Sequence, residues 1–201
     1  MSGLTLYGTT TSPYVRRVRV VAQELGVDVE LVNTATEEGQ AAMRTVNPVW
    51  KVPTAKVGEL ALLDSQTTCE YLLQNRGPGA LARFSSDNVH ERNLLTAIDG
   101  ALDSLINVFY LTKDGVTPAA SSYVEKQTTR AKSVMTWLES WATGPWLSQV
   151  QQLGLPEIAL VTTLDWMTFR GTYDVAAHPK LVALQEHWAG RESFVATMPS
   201  A

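Results

Sequence analysis

The chain has 201 residues, 45% of them hydrophobic and 18% charged, which is ordinary for a globular protein of one or two domains. Its formal net charge is −4, and Lys and Arg form no long run, so no nucleic-acid partner is expected. A single cysteine, Cys69, excludes both an internal disulfide framework and a thiolate zinc cage.

The opening residues, MSGLTLYG, lack the basic and long apolar regions of a signal peptide. Apolar runs such as Leu60 to Leu63 are too short to span a bilayer. No membrane association and a cytoplasmic location are therefore expected. Leu4, Leu6 and Gly8 around Thr5 and Tyr7 predict a short strand. Ser12-Pro13 predicts a helix start, because serine caps and proline suits the first helical position. Val15, Val18, Ala22 and Leu25 recur at helical spacing, with Arg16, Arg17, Arg19 and Gln23 on the other face. Gly26 ends that helix, and Val27, Val29 and Leu31 alternate at strand period.

Glu37 to Val46 is weakly helical until Asn47-Pro48 breaks it. Thr54 to Val57 and Leu60 to Leu63 predict a hairpin around Gly58-Glu59, and a capped helix follows from Asp64 or Ser65 to about Gln74. The order β-α-β, helix, β-β-α is that of a thioredoxin-like domain. Gly77-Pro78-Gly79 marks the expected boundary, giving an α/β domain over residues 1–78 and an all-α helical bundle over 79–201. In the second part, Leu94, Leu95, Ile98, Leu102, Leu105, Ile106 and Phe109 form one apolar stripe. Val124, Ala131, Val134, Leu138 and Trp141 form another, and Gly154 to Arg170 and Lys180 to Gly190 supply two further helices.

Chemistry enters at Ser12-Pro13-Tyr14-Val15. Glutaredoxin-type proteins carry Cys-Pro-Tyr-Cys in this setting, so the absence of both thiols excludes dithiol exchange here. What remains is a hydroxyl at a helix N-terminus, a place that favours anions. Two roles are open for Ser12: a helix cap, or a hydrogen-bond donor to a thiolate such as that of glutathione, lowering its pKa. Tyr7, Thr9, Thr10 and Thr11 are rival hydroxyls. Lys51 is either a solvated lysine or a partner for a carboxylate, and Asp64-Ser65 is either a cap or a receptor for the paired charges of a γ-glutamyl group. Cys69, in mid-helix, is read as a buried structural thiol. His90, His178 and His187 show no metal-ligand spacing, so no metal is expected.

These segments together resemble the glutathione S-transferase family, most closely its small bacterial members. Ser12-Pro13-Tyr14-Val15-Arg16-Arg17 is similar to the family's S-P-[FY]-V-R-[KR] opening. Asn47-Pro48-Val49-Trp50-Lys51-Val52-Pro53 is similar to N-P-x-G-K-V-P, and Asp64-Ser65 with Glu70-Tyr71-Leu72 to E-S-x-x-I-x-E-Y-L. Ala97 to Asp103, Leu164-Asp165-Trp166, Phe169-Arg170 and Arg191 to Phe194 extend the likeness over nearly the whole chain. Three residues depart from it: Trp50 stands where the family has glycine, Asp64 where it has glutamate or glutamine, and Gly154 with Glu157 in its helix-capping box.

The resemblance implies a cis peptide before Pro53 and glutathione held by Ser12, Tyr14, Lys51, Val52, Pro53, Asp64 and Ser65. It also implies that Ser12 stabilises the thiolate and that Phe109, Tyr110 and Trp166 line the pocket for a small apolar electrophile. A homodimeric detoxifying transferase follows, in which Asp99 reaches the partner subunit's glutathione. A non-catalytic glutathione-binding scaffold and a glutathione-dependent isomerase or peroxidase are the alternative readings.

Overall fold

The computed structural model describes residues 3–116 and 121–199. The chain begins with β1 (Leu4–Gly8), α1 (Pro13–Glu24), β2 (Val29–Asn33) and α2 (Glu37–Val46). It continues through β3 (Thr54–Val57), β4 (Leu60–Leu63) and α3 (Ser65–Arg76). The strands form one mixed sheet in the order β2-β1-β3-β4, with β1 parallel to β2 and the other neighbours antiparallel. The hairpin pairs Val57 with Leu60, so Gly58-Glu59 is its two-residue turn, with Gly58 at φ +59°. This is a thioredoxin-like arrangement.

Helices make up the rest: α4 (Val89–Lys113), α5 (Ser122–Trp141), α6 (Leu155–Arg170), α7 (Pro179–Ala189) and α8 (Glu192–Val195), with a 3-10 turn at Val175–Ala177 before α7. By length and apolarity α4 matches a membrane-crossing helix. The burial of Leu94, Leu95, Ile98, Ala101, Leu102 and Leu105 gives that apolarity another cause, because α4 packs on α5 and α6.

The polar face of α1 is not a solvated one. Both Arg16 and Arg17 are buried to within 2% of full burial, because α1 lies between its own sheet and the helical domain. Arg16 donates to Asp165 of α6 at 2.5 Å, to the Phe194 carbonyl at 3.1 Å and to Thr197 Oγ1 at 3.3 Å. Arg191 forms a two-point pair with Glu24 at the other end of α1, at 2.6 Å for each contact. Paired and hydrogen-bonded in this way, buried charges tie the two domains in one orientation. The apolar core is likewise continuous, running from Leu4, Val15 and Val18 through Leu95 and Ile98 to Leu160 and Leu164.

Candidate active site

The start of α1 is held by close packing. Gly8 ends β1 directly beneath it, and a Cβ there would sit 2.2 Å from Val15 Cγ2. Glycine therefore lets the first turn descend onto the strand end. Ser12 is the N-cap, and its Oγ accepts from the Val15 amide at 3.3 Å. A hydroxyl that accepts still has its own proton to give. Thr9 and Thr11 face each other, Oγ1 to Oγ1 at 3.3 Å, so two of the rival hydroxyls are engaged with one another.

Beside this helix lies a cavity of about 330 Å³, bounded by Tyr14 of α1, the loop before β3, the start of α3, and Asp99 and Asp103 of α4. Lys51, Val52, Pro53, Asp64 and Ser65 all line it. The sequence-derived candidates from the three motifs thus converge, with Ser12 as the exception: it caps α1 without lining this cavity.

The Val52–Pro53 peptide is cis. Among the described residues the Val52 N–H and C=O have no hydrogen-bond partner, which leaves both open to an extended ligand. Asn47 builds this loop. It is 1% exposed, its Nδ2 donates to the Lys51 carbonyl at 3.0 Å and to Thr54 Oγ1 at 2.7 Å, and its Oδ1 accepts from Val49 N at 2.7 Å. Sequence reading saw Asn47-Pro48 as a helix breaker and missed this role. The side-chain amide satisfies one loop from within, a pattern that a local Asn-Pro signal does not reveal. Asn47→Ala is expected to cost about 2 kcal/mol in denaturant unfolding, since it removes three hydrogen bonds made by a buried side chain, one of them to the buried Thr54 hydroxyl.

Two loop residues carry positive φ without being glycine. Trp50, at φ +58°, occupies a left-handed position that explains the glycine of the N-P-x-G-K-V-P pattern, and it is 62% exposed. The Arg44 guanidinium lies 4.5 Å from its ring centroid, anchoring the ring beside α2. Asp64, at φ +79° and ψ 169°, is in a region almost reserved for glycine. Its carboxylate caps α3 by accepting from Thr67 N at 2.8 Å, and its carbonyl accepts from Thr68 Oγ1 at 2.7 Å. Such a backbone aims the first residues of α3. The amides of Ser65 and Gln66, both cavity residues, have no acceptor among the described residues.

The wall supplied by the helical domain is acidic but already partly engaged. Tyr14 donates its phenol to Asp103 at 2.7 Å. Burial, then Asp99 and Asp103, pushes that phenol far above its ordinary value, so it stays protonated. Asp99 takes both arms of Arg17, at 2.6 and 3.3 Å, so it is joined to its own chain's α1. Burial opposes the Arg17 charge, yet Asp99 outweighs it and holds the guanidinium above its ordinary value. Cys69 is fully buried, and burial pushes its thiol up to about 12, which removes it as a nucleophile.

Phe109, Tyr110 and Trp166 form an aromatic cluster of their own. Phe109 lies 5.3 Å from Tyr110 and 6.0 Å from Trp166, in edge-on contacts. Trp166 is buried and Tyr110 is exposed. None of the three lines the 330 Å³ cavity, but Tyr110 follows Asp103 by two helical turns of α4, on the same face and about 10 Å further along.

The comparisons agree with this architecture. The family model described as "Glutathione S-transferase, N-terminal domain" matches residues 6–80. The uncharacterized GST-like protein YibF of Escherichia coli K12 is 28% identical over 203 residues, covering 96% of this chain and 98% of YibF. A glutathione transferase family member from Pseudomonas fluorescens Pf-5, solved with bound glutathione, superposes with a TM-score of 0.84 at 25% identity, covering 99% of this chain and all of the other. A glutathione S-transferase from Methylobacterium radiotolerans JCM 2831, in complex with glutathione sulfonate, gives 0.85 at 23% identity, covering 100% and 96%. Residues 6–80 thus match a glutathione S-transferase N-terminal domain, and the whole chain has the glutathione S-transferase fold, a thioredoxin-like sheet followed by a helical domain.

Proposed function

We propose that this protein binds glutathione in the cavity between the cis-Pro53 loop, α3 and α4, and adds its sulfur to a small apolar electrophile. The observation that carries the reading is Val52. Its N–H and C=O, without partners among the described residues, line the same cavity as Lys51 and Ser65, so an extended peptide has a backbone to pair with between a cation and a helix start. The glycyl carboxylate faces Lys51. The γ-glutamyl carboxylate meets the Ser65 and Gln66 amides and the Ser65 hydroxyl. The adjacent ammonium faces Asp64, Asp99 and Asp103, so one end of the ligand presents both charges to a wall bearing both complements. A cavity of about 330 Å³ is within the usual range for such a ligand.

The sulfur then lies toward the start of α1. A free thiol has a pKa of about 8.5, so little is ionised at neutral pH. The Ser12 proton, left free because Oγ serves the Val15 amide as acceptor, hydrogen-bonds the thiolate, aided by the helix dipole. The thiol proton passes to solvent. The sulfur lone pair forms the S–C bond while a leaving group departs with its electron pair, or, in an addition, the adjacent carbon takes a proton from water. Phe109, Tyr110 and Trp166 offer the apolar ground beyond Asp103 for the electrophile.

Titration calorimetry with reduced glutathione tests the reading, followed by a conjugation assay with an aryl halide. Saturable one-site binding with turnover is the expected result. Binding without turnover would replace it by the scaffold reading, and turnover confined to isomerisation or peroxide reduction would change the reaction but keep the site.

A further inference from the structure

Ser65 is oriented by a residue that never touches the cavity. Its Oγ accepts from Arg17 Nη1 at 3.1 Å, and a guanidinium is a donor only. The hydroxyl oxygen must therefore be the acceptor in that contact, which leaves the Ser65 proton to be given elsewhere. No acceptor for it exists among the described residues, although Ser65 is 4% exposed and lines the cavity. Arg17 itself is 1% exposed, is clamped by Asp99 through two contacts, and has the Tyr14 ring 5.3 Å from its Cζ. Tyr14 is in turn held by Asp103. A buried fork reaching from α1 to α4 thus fixes the rotation of one hydroxyl at the start of α3.

We infer that Arg17 is a positioning residue for the carboxylate at the γ-glutamyl end of the ligand, acting through Ser65. The inference rests on the reading of the cavity as a glutathione site. With its oxygen engaged by a cation, the Ser65 hydroxyl is polarised and presents its proton to an anion entering the cavity. The Arg17 charge lies one hydroxyl behind the wall and is compensated by Asp99, so the site favours a carboxylate over a neutral amide without exposing a guanidinium to solvent. The sequence gives no hint of this, since Arg17 and Ser65 are 48 residues apart and Arg17 and Asp99 are 82 apart.

The test compares, by titration calorimetry, glutathione with the analogue whose γ-glutamyl α-carboxylate is a primary amide. The wild type is expected to bind glutathione about 10- to 100-fold more tightly than the amide, the range of a charged hydrogen bond. Arg17→Met is expected to reduce that ratio to below about threefold, and Arg17→Lys to restore part of it. Because Arg17→Met removes a buried charge and can unfold the chain, the deciding variant is Arg17→Lys, alone and combined with Ser65→Ala. Arg17→Lys should lower the ratio when Ser65 is present and leave it unmoved when Ser65 is alanine. Equal effects in both backgrounds, or a ratio that Arg17→Lys does not change, would overturn the inference while leaving the glutathione site intact. A wild type that binds no glutathione would overturn both.

Discussion

Glu157→Ala is expected to lower stability by about 3–5 kcal/mol, with a fall in Tm of about 10 °C or more. Glu157 is fully buried at the first turn of α6. Its Oε1 accepts from the amides of Leu147 and Ser148, both at 2.9 Å, and its Oε2 accepts from Gly154 N at 3.1 Å. One carboxylate therefore satisfies three backbone donors that water cannot reach, and alanine leaves all three unpaired. It also removes a negative charge from the positive end of a helix whose next two turns are entirely buried. Glu157→Gln keeps one oxygen acceptor but turns an NH₂ group toward an amide donor, so an intermediate loss of about 2 kcal/mol is expected. Thermal melts of both variants provide the check, and equal melting of wild type and Glu157→Ala would contradict this account. The Gly154 in the capping box costs little, because the reciprocal bond comes from Glu157 rather than from the cap residue.

How much of this was legible beforehand depends on how far apart the interacting residues are in the chain. The Ser12-Pro13 cap, the Gly58-Glu59 turn and the capped start of α3 are local chemistry, and each stands where the sequence pattern predicts. In α4 periodicity found Leu94, Leu95, Ile98, Leu102 and Leu105, which are buried, whereas Ile106 and Phe109 are only partly so and the buried Glu91 and Ser104 carry no apolar signal. Nor does any local pattern signal the burial of Arg16 and Arg17. Their partners Asp165 and Asp99 lie 149 and 82 residues away, so nothing near α1 marks its charged face as an interdomain seam. Tyr14 illustrates the same limit: its partner Asp103 is 89 residues on, and its phenol faces the cavity wall only because α4 is there. The unusual backbone at Trp50 and Asp64 was equally hidden, since a tryptophan and an aspartate do not announce positive φ as glycine does. The cis peptide at Pro53 was expected only through the family likeness, because spacing does not distinguish a cis proline from a trans one.

The chemistry proposed for this site centres on the hydroxyl at the start of α1. Ser12→Ala removes the cap and, with it, the donor proposed for the sulfur. The cap alone is worth about 1 kcal/mol of stability, so the variant is expected to fold and to bind glutathione. Its chemistry is expected to change far more than its stability. A hydrogen bond to a charged sulfur is worth about one to two pKa units. With the free thiol near 8.5 only about 3% is ionised at pH 7, so conjugation there should fall about 8-fold for a loss of one unit and about 25-fold for two.

The direct measurement is a pH titration of the thiolate absorbance of glutathione bound to the wild type and to Ser12→Ala. The wild-type complex should ionise at least about one unit below the free thiol's value of about 8.5, and the variant should return toward it. A bound thiol that ionises at the same pH in both proteins would take the role away from Ser12.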